Sequence, residues 1–191
     1  FNKNLLLIIS FVKLYLSFLI PLIFENSHID KKKSFGFLIV QLNNNSLKLV
    51  SFFKENKIKE KDRIAAYTAN QIETVESFIA TSAIGAIWSS CSPDFGTQGV
   101  IERFSQIKPK VLIITDRYYY NGKEINILER LPTILKKIKS IKSVLIINYP
   151  GKKNFKQKKI KGIKIFYYNK LKLKKENQNI FKKFDFDKEL T

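Results

Sequence analysis

The chain has 191 residues, 45% of them hydrophobic, which makes it long and apolar enough for a folded domain and excludes wholesale disorder. Its 35 Lys+Arg against 16 Asp+Glu give a formal charge of +19, yet only Arg63, Arg103, Arg117 and Arg130 are arginines. Sequence-specific nucleic-acid readers rely on the bidentate guanidinium. The excess therefore reads as a Lys-rich solvated surface, with no specific nucleic-acid partner expected.

Residues 5–24, LLLIISFVKLYLSFLIPLIF, are long enough to span a bilayer. Lys13 near their centre would cost about 2.5–3.5 kcal/mol on insertion, and Pro21 interrupts the run. No small-residue cleavage site of a signal peptide follows. The chain starts at Phe1 and contains no Met, so it is read as a fragment. Residues 1–45 are read as an atypical apolar and basic leader, translated out of frame or else an anchor. Membrane contact is expected only if 5–24 are genuine.

From residue 46 the patterns become regular. LKLVSFFKEN (47–56) has a broad apolar helical face, and IAAYTA (64–69) reads as a short strand. Asn70 is placed to cap the next helix, with Glu73 at capping-box spacing and Ile72, Val75, Ile79 and Ala83 facing inward. Gly85 suits the end of that helix. AIWSSCS (86–92) is a strand stopped by Pro93; Asp94 is expected to cap the helix carrying Val100, Ile101, Phe104 and Ile107. VLIIT (111–115) reads as a strand buried on both faces. A helical stretch is expected from Lys123, with a second short helix starting at Pro132 and covering 132–139. SVLIINY (143–149) and IKIFYY (163–168) are further strands.

This alternation predicts an α/β fold, a mainly parallel sheet with flanking helices. Ligands of such sheets lie beyond the carboxyl ends of the strands. The loops placed there carry SPDFG (92–96) and DRYYYNGKE (116–124).

A single Cys excludes an intramolecular disulfide and suits a reducing, cytoplasmic setting. Cys91 reads as a small buried residue, and the lone His28 lacks a catalytic partner. No HExxH, CxxC, GxSxG or GxxxxGK[ST] pattern occurs, so no catalytic residue and no metal ligand is assigned.

The segment KEKDRIAAYTANQIETVESFIATSAIGAIWSSCSPDFGTQGVIERFSQIKPKVLIITDRYYYNGKE resembles the amino-terminal domain of the adenylate-forming acyl-CoA ligases. The resemblance runs from about Leu47 to about Gly151. Within the family, IWSS-x-SPDFG, RFSQI-x-PK and YNGKE are most similar to the acetoacetate-activating branch. Acetyl- and propionyl-activating members carry an FGGFS turn in place of SPDFG. The resemblance implies small-molecule substrates: acetoacetate, ATP and CoA. It also implies Mg²⁺ and the release of AMP and pyrophosphate.

A phosphate loop of the form SSGTTG-x-PK is absent, and FKKFDFDKELT (181–191) resembles the run just before it. Residues 46–191 are accordingly expected to be a partial amino-terminal domain that stops short of the phosphate loop, inactive alone, with nothing tightly bound. In acetyl-CoA-forming relatives an Arg-x-Gly-Arg turn contacts CoA phosphates. By position it corresponds to Tyr120, Asn121, Gly122 and Lys123, of which only Lys123 keeps a cation. The alternative is that Asn121-Gly122 is simply a turn requiring positive φ. Trp88 reads as part of an acyl pocket or as core packing. The Glu102–Arg103 pair reads as a solvated helix face.

Overall fold

The computed structural model describes residues 31–149 and 159–173, with side chains from residue 40. The apolar run 5–24, His28, and residues 150–158 and 174–191 lie outside the described residues. Among the described residues no helix is long and apolar enough to cross a membrane.

Five parallel strands form the sheet: β1 (Arg63–Tyr67), β2 (Ile87–Cys91), β3 (Val111–Thr115), β6 (Ser143–Ile147) and β7 (Lys164–Tyr167), in the order β2-β1-β3-β6-β7. A separate antiparallel hairpin, β4 (Arg117–Tyr120) and β5 (Lys123–Asn126), follows β3 directly. The central strands β3 and β6 are buried at every position, because helices cover both faces.

Side-chain alternation divides the core in two. Ile64, Ala66, Val111, Ile113, Leu145 and Ile147 point to one face. There they meet Leu49, Val50, Phe52 and Phe53 of α1 (Lys31–Glu55) and Ala80 and Ala83 of α2 (Ile72–Ala83). Ala65, Tyr67, Leu112, Ile114, Val144 and Ile146 point to the other face. Their partners are Val100 and Phe104 of α3 (Thr97–Ile107) and Leu131, Ile134 and Leu135 of α4 (Leu131–Lys137). The inward strand positions thus alternate on a period of two and are mostly apolar, with Thr115 and Ser143 as buried polar exceptions, and the two sets differ by one residue.

The chain leaves β1 for β2 on one side and then crosses back to β3 on the other side. The crevice at the carboxyl ends of β1 and β3 is therefore the topological switch point where doubly wound sheets bind ligands.

Three local expectations change. The segment from Lys123 is a strand, not a helix: Asn121 (φ 48°) and Gly122 (φ 73°) close a two-residue turn that pairs Tyr120 with Lys123. Helical structure begins only with the 3-10 turn Leu128–Arg130, which leads into α4. The cap of α2 is Gln71, with no side-chain hydrogen bond, rather than Asn70. The cap of α3 is Gly96, and Asp94 instead accepts a hydrogen bond from Ser92 Oγ at 2.7 Å. The described part of helix α1 runs continuously through residues 45 and 46.

Candidate functional site at the carboxyl edge of the sheet

The hairpin stands at the carboxyl end of β3 and presents the turn singled out by sequence. Tyr120 is 63% exposed, and Asn121, Gly122 and Lys123 are exposed with it. A Cβ at Gly122 would meet nothing within 4 Å, so the turn needs glycine for its φ alone. Among the described residues no carboxylate forms an ion pair with Lys123. Its ammonium is thus available to an anion.

The base of the hairpin is rigid where its tip is open. Arg117, 4% exposed, pairs with buried Asp116 at 3.3 Å and with Glu124 across the strands at 3.1 Å. Burial works against the guanidinium charge, but the two carboxylates more than compensate and raise its pKa. Asp116 also accepts the Tyr149 backbone N–H at 2.9 Å and the Asn148 amide at 3.2 Å, which ties the end of β3 to the end of β6. Tyr119 donates its hydroxyl to Glu124 and stacks edge-on against Tyr149, 5.1 Å between centroids.

Beside the hairpin lies the SPDFG loop. Its turn is closed by the Phe95 N–H donating to Ser92 O at 3.1 Å. Tyr118 of the hairpin lies near Asp94, and burial together with the charge of that carboxylate raises the tyrosine pKa. The two segments that sequence marked separately are therefore neighbours in space. Phe95 is 43% exposed, with the Arg103 guanidinium 5.2 Å from its ring centroid. Glu102 accepts from Gln98 at 2.8 Å, so Arg103 serves the loop and not its sequence neighbour.

Other residues are structural. Trp88 is half-buried and packs edge-on against Phe78 at 6.0 Å, joining the core on the α1–α2 face. Cys91 is buried, and desolvation pushes its thiol up to about 11, far from nucleophilic use. No three of His, Cys, Asp and Glu come together among the described residues.

Two residues escaped the sequence reading. Arg130, in the 3-10 turn after the hairpin, donates to the Pro93 and Phe95 carbonyls of the SPDFG loop. Glu76 is buried between α1, α2 and the 3-10 turn Tyr168–Lys170, where Asn45 and Tyr168 donate to its carboxyl. Burial pushes Glu76 up to about 7. A buried carboxyl on an otherwise apolar helix face was the only available signal for it.

The sequence model of the family described as AMP-binding enzyme matches residues 39–178, more than half of the chain. An acetoacetyl-CoA synthetase of Xenopus tropicalis is 49% identical over 92 residues, and an acetoacetyl-coenzyme A synthetase of Rhizobium meliloti 46% over 90. These matches cover 48% and 47% of this chain but only 14% of each relative. A malonamoyl-CoA synthetase of Penicillium aethiopicum is 34% identical over 91 residues, covering 48% of this chain and 13% of the relative. Among solved structures, the acetoacetyl-CoA synthetase from Streptomyces lividans superposes with a TM-score of 0.68 at 26% identity. That match covers 78% of this chain and 22% of the other. The doubly wound sheet and the family match agree: this chain belongs to the AMP-binding enzyme family.

Proposed function

We propose that residues 46–191 form part of the large amino-terminal domain of an acetoacetate–CoA ligase. This enzyme joins acetoacetate to CoA while ATP is cleaved to AMP and pyrophosphate. The carrying observation is the 49% identity over 92 residues to an acetoacetyl-CoA synthetase. Mg²⁺ would neutralise phosphate charge in such a reaction. The share of this domain is scaffold and one substrate contact, in the cytoplasm.

That contact is CoA, at the hairpin turn Tyr120-Asn121-Gly122-Lys123. Its features fit a phosphate ester: an exposed ammonium, a backbone turn without side-chain bulk, and the exposed ring of Tyr120. A single lysine supports one charge-assisted hydrogen bond and no bidentate grip.

Specificity is tested by kcat/KM of the complete ligase for acetoacetate, acetate and malonamate. Acetoacetate is expected to be preferred. Preference for acetate would remove the acetoacetate assignment, and preference for malonamate would support the reading suggested by the Penicillium relative.

A further inference from the structure

We propose that Arg130 is a positioning residue for the CoA step, fixing the SPDFG loop beside the hairpin turn. A single nitrogen, Arg130 Nη1, donates to Pro93 O at 3.1 Å, to Phe95 O at 2.9 Å and to the Tyr67 hydroxyl. Tyr67 Oη in turn donates to Phe95 O at 2.6 Å. Burial raises the tyrosine pKa, with Arg130 opposing, so the phenol keeps the proton it donates.

The geometry explains why a side chain is needed here. Pro93 and Phe95 are two residues apart in one turn, and Arg130 donates to the carbonyls of both. Tyr67 donates to the same two carbonyls. Arg130 ends the 3-10 turn that follows β5, while Tyr67 ends β1, at the switch point. The cluster therefore links three things: strand β1, the loop after β2 and the 3-10 turn that follows β5. On the outgoing leg of the hairpin, Tyr118 lies near Asp94 of the same loop. The Arg130–Tyr67 cluster thus fixes the loop that neighbours the hairpin.

Because Nη1 alone makes all three contacts, a lysine ammonium has the donors to replace it, and a neutral methionine does not. This inference rests on the hairpin as a CoA contact, so both must be tested together. The complete ligase would be prepared as Arg130→Met, Arg130→Lys, Tyr67→Phe and Lys123→Ala. KM for CoA, ATP–pyrophosphate exchange without CoA, and thermal midpoint would be measured for each.

Arg130→Met should raise KM for CoA about tenfold, because the loop and the hairpin beside it lose their fixed position. Exchange should stay within about twofold, and Arg130→Lys should recover KM to within about threefold of the parent. Unchanged KM in Arg130→Met overturns the proposal. So does equal loss of both half-reactions with a lowered midpoint that Arg130→Lys fails to restore. If Arg130→Met does not fold, Tyr67→Phe decides: a raised KM for CoA with intact exchange supports the proposal, and an unchanged KM overturns it. Lys123→Ala separates the two claims. An unchanged KM in Lys123→Ala rejects the hairpin contact and the positioning role that rests on it; a KM raised by Lys123→Ala but not by Arg130→Met keeps the contact and rejects Arg130.

Discussion

Asp116 and Arg117, adjacent in sequence, form an ion pair at 3.3 Å in which one side chain is 0% and the other 4% exposed. Neighbouring residues of a strand point to opposite sides, so a contact between them marks the point where β3 ends and the hairpin begins. The pair holds the hairpin by its base.

Removing Arg117 should therefore be costly. Arg117→Met leaves Asp116 buried without its cation, a change that costs about 3–5 kcal/mol when a buried pair loses one partner. Denaturant unfolding measures it. The double variant Asp116→Asn, Arg117→Met should be more stable than Arg117→Met alone, since no charge is then left stranded. Additive losses would mean that the two side chains do not interact.

The hairpin turn gives a local prediction. Gly122→Ala meets no steric obstacle but must hold φ at 73°, so it should cost about 1–2 kcal/mol through conformation alone. Asn121→Gly, at φ 48°, should be neutral within about 0.5 kcal/mol. Thermal midpoints of the two variants check this, and equal losses would contradict the turn geometry.

Much of the sheet was legible in sequence. VLIIT and SVLII are continuous apolar runs, and a strand buried on both faces leaves no other pattern. Only the return strand, from Lys123, reads as helix in the sequence, where Lys123, Glu124, Leu128, Glu129 and Arg130 are good helix formers. Pairing with Tyr118–Tyr120 across an Asn-Gly turn outweighs that preference. Arg130 was invisible for a different reason. Two of its three partners are backbone carbonyls, 35 and 37 residues away, and carbonyls carry no sequence signature. Tyr67 is 63 residues away, brought near only by the fold.

Glu76 makes stability depend on pH. Its neighbours are Asn45 and Lys48 on α1, Glu73 on its own helix, and Tyr168, whose pKa is raised by burial and by the Glu76 charge. Burial lifts the Glu76 carboxyl from 4.5 to about 7 in the fold. The unfolded chain therefore releases this proton first, and the contribution of Glu76 is fully present below pH 4.5 and declines as pH rises towards 7. The total is on the order of 3 kcal/mol. Glu76→Gln should flatten the thermal midpoint between about pH 5 and 8. An unchanged slope would place the pH dependence elsewhere.

Cys91 should be silent in the native state. Its thiol is buried and pushed up to about 11, so a disulfide reagent at pH 8 should label it only on unfolding. Reaction of the folded protein within minutes would contradict the packing of β2 against α3.

The most direct test of the account is Lys123→Ala in the complete ligase, read as two half-reactions. A charge-assisted hydrogen bond to an exposed phosphate is worth about 1.5–3 kcal/mol, so the apparent affinity for CoA should fall about 10- to 150-fold. ATP–pyrophosphate exchange in the absence of CoA reports adenylate formation alone and should stay within about twofold. An unchanged KM for CoA, or parallel loss of both half-reactions with thermal stability, would contradict the CoA contact at the hairpin.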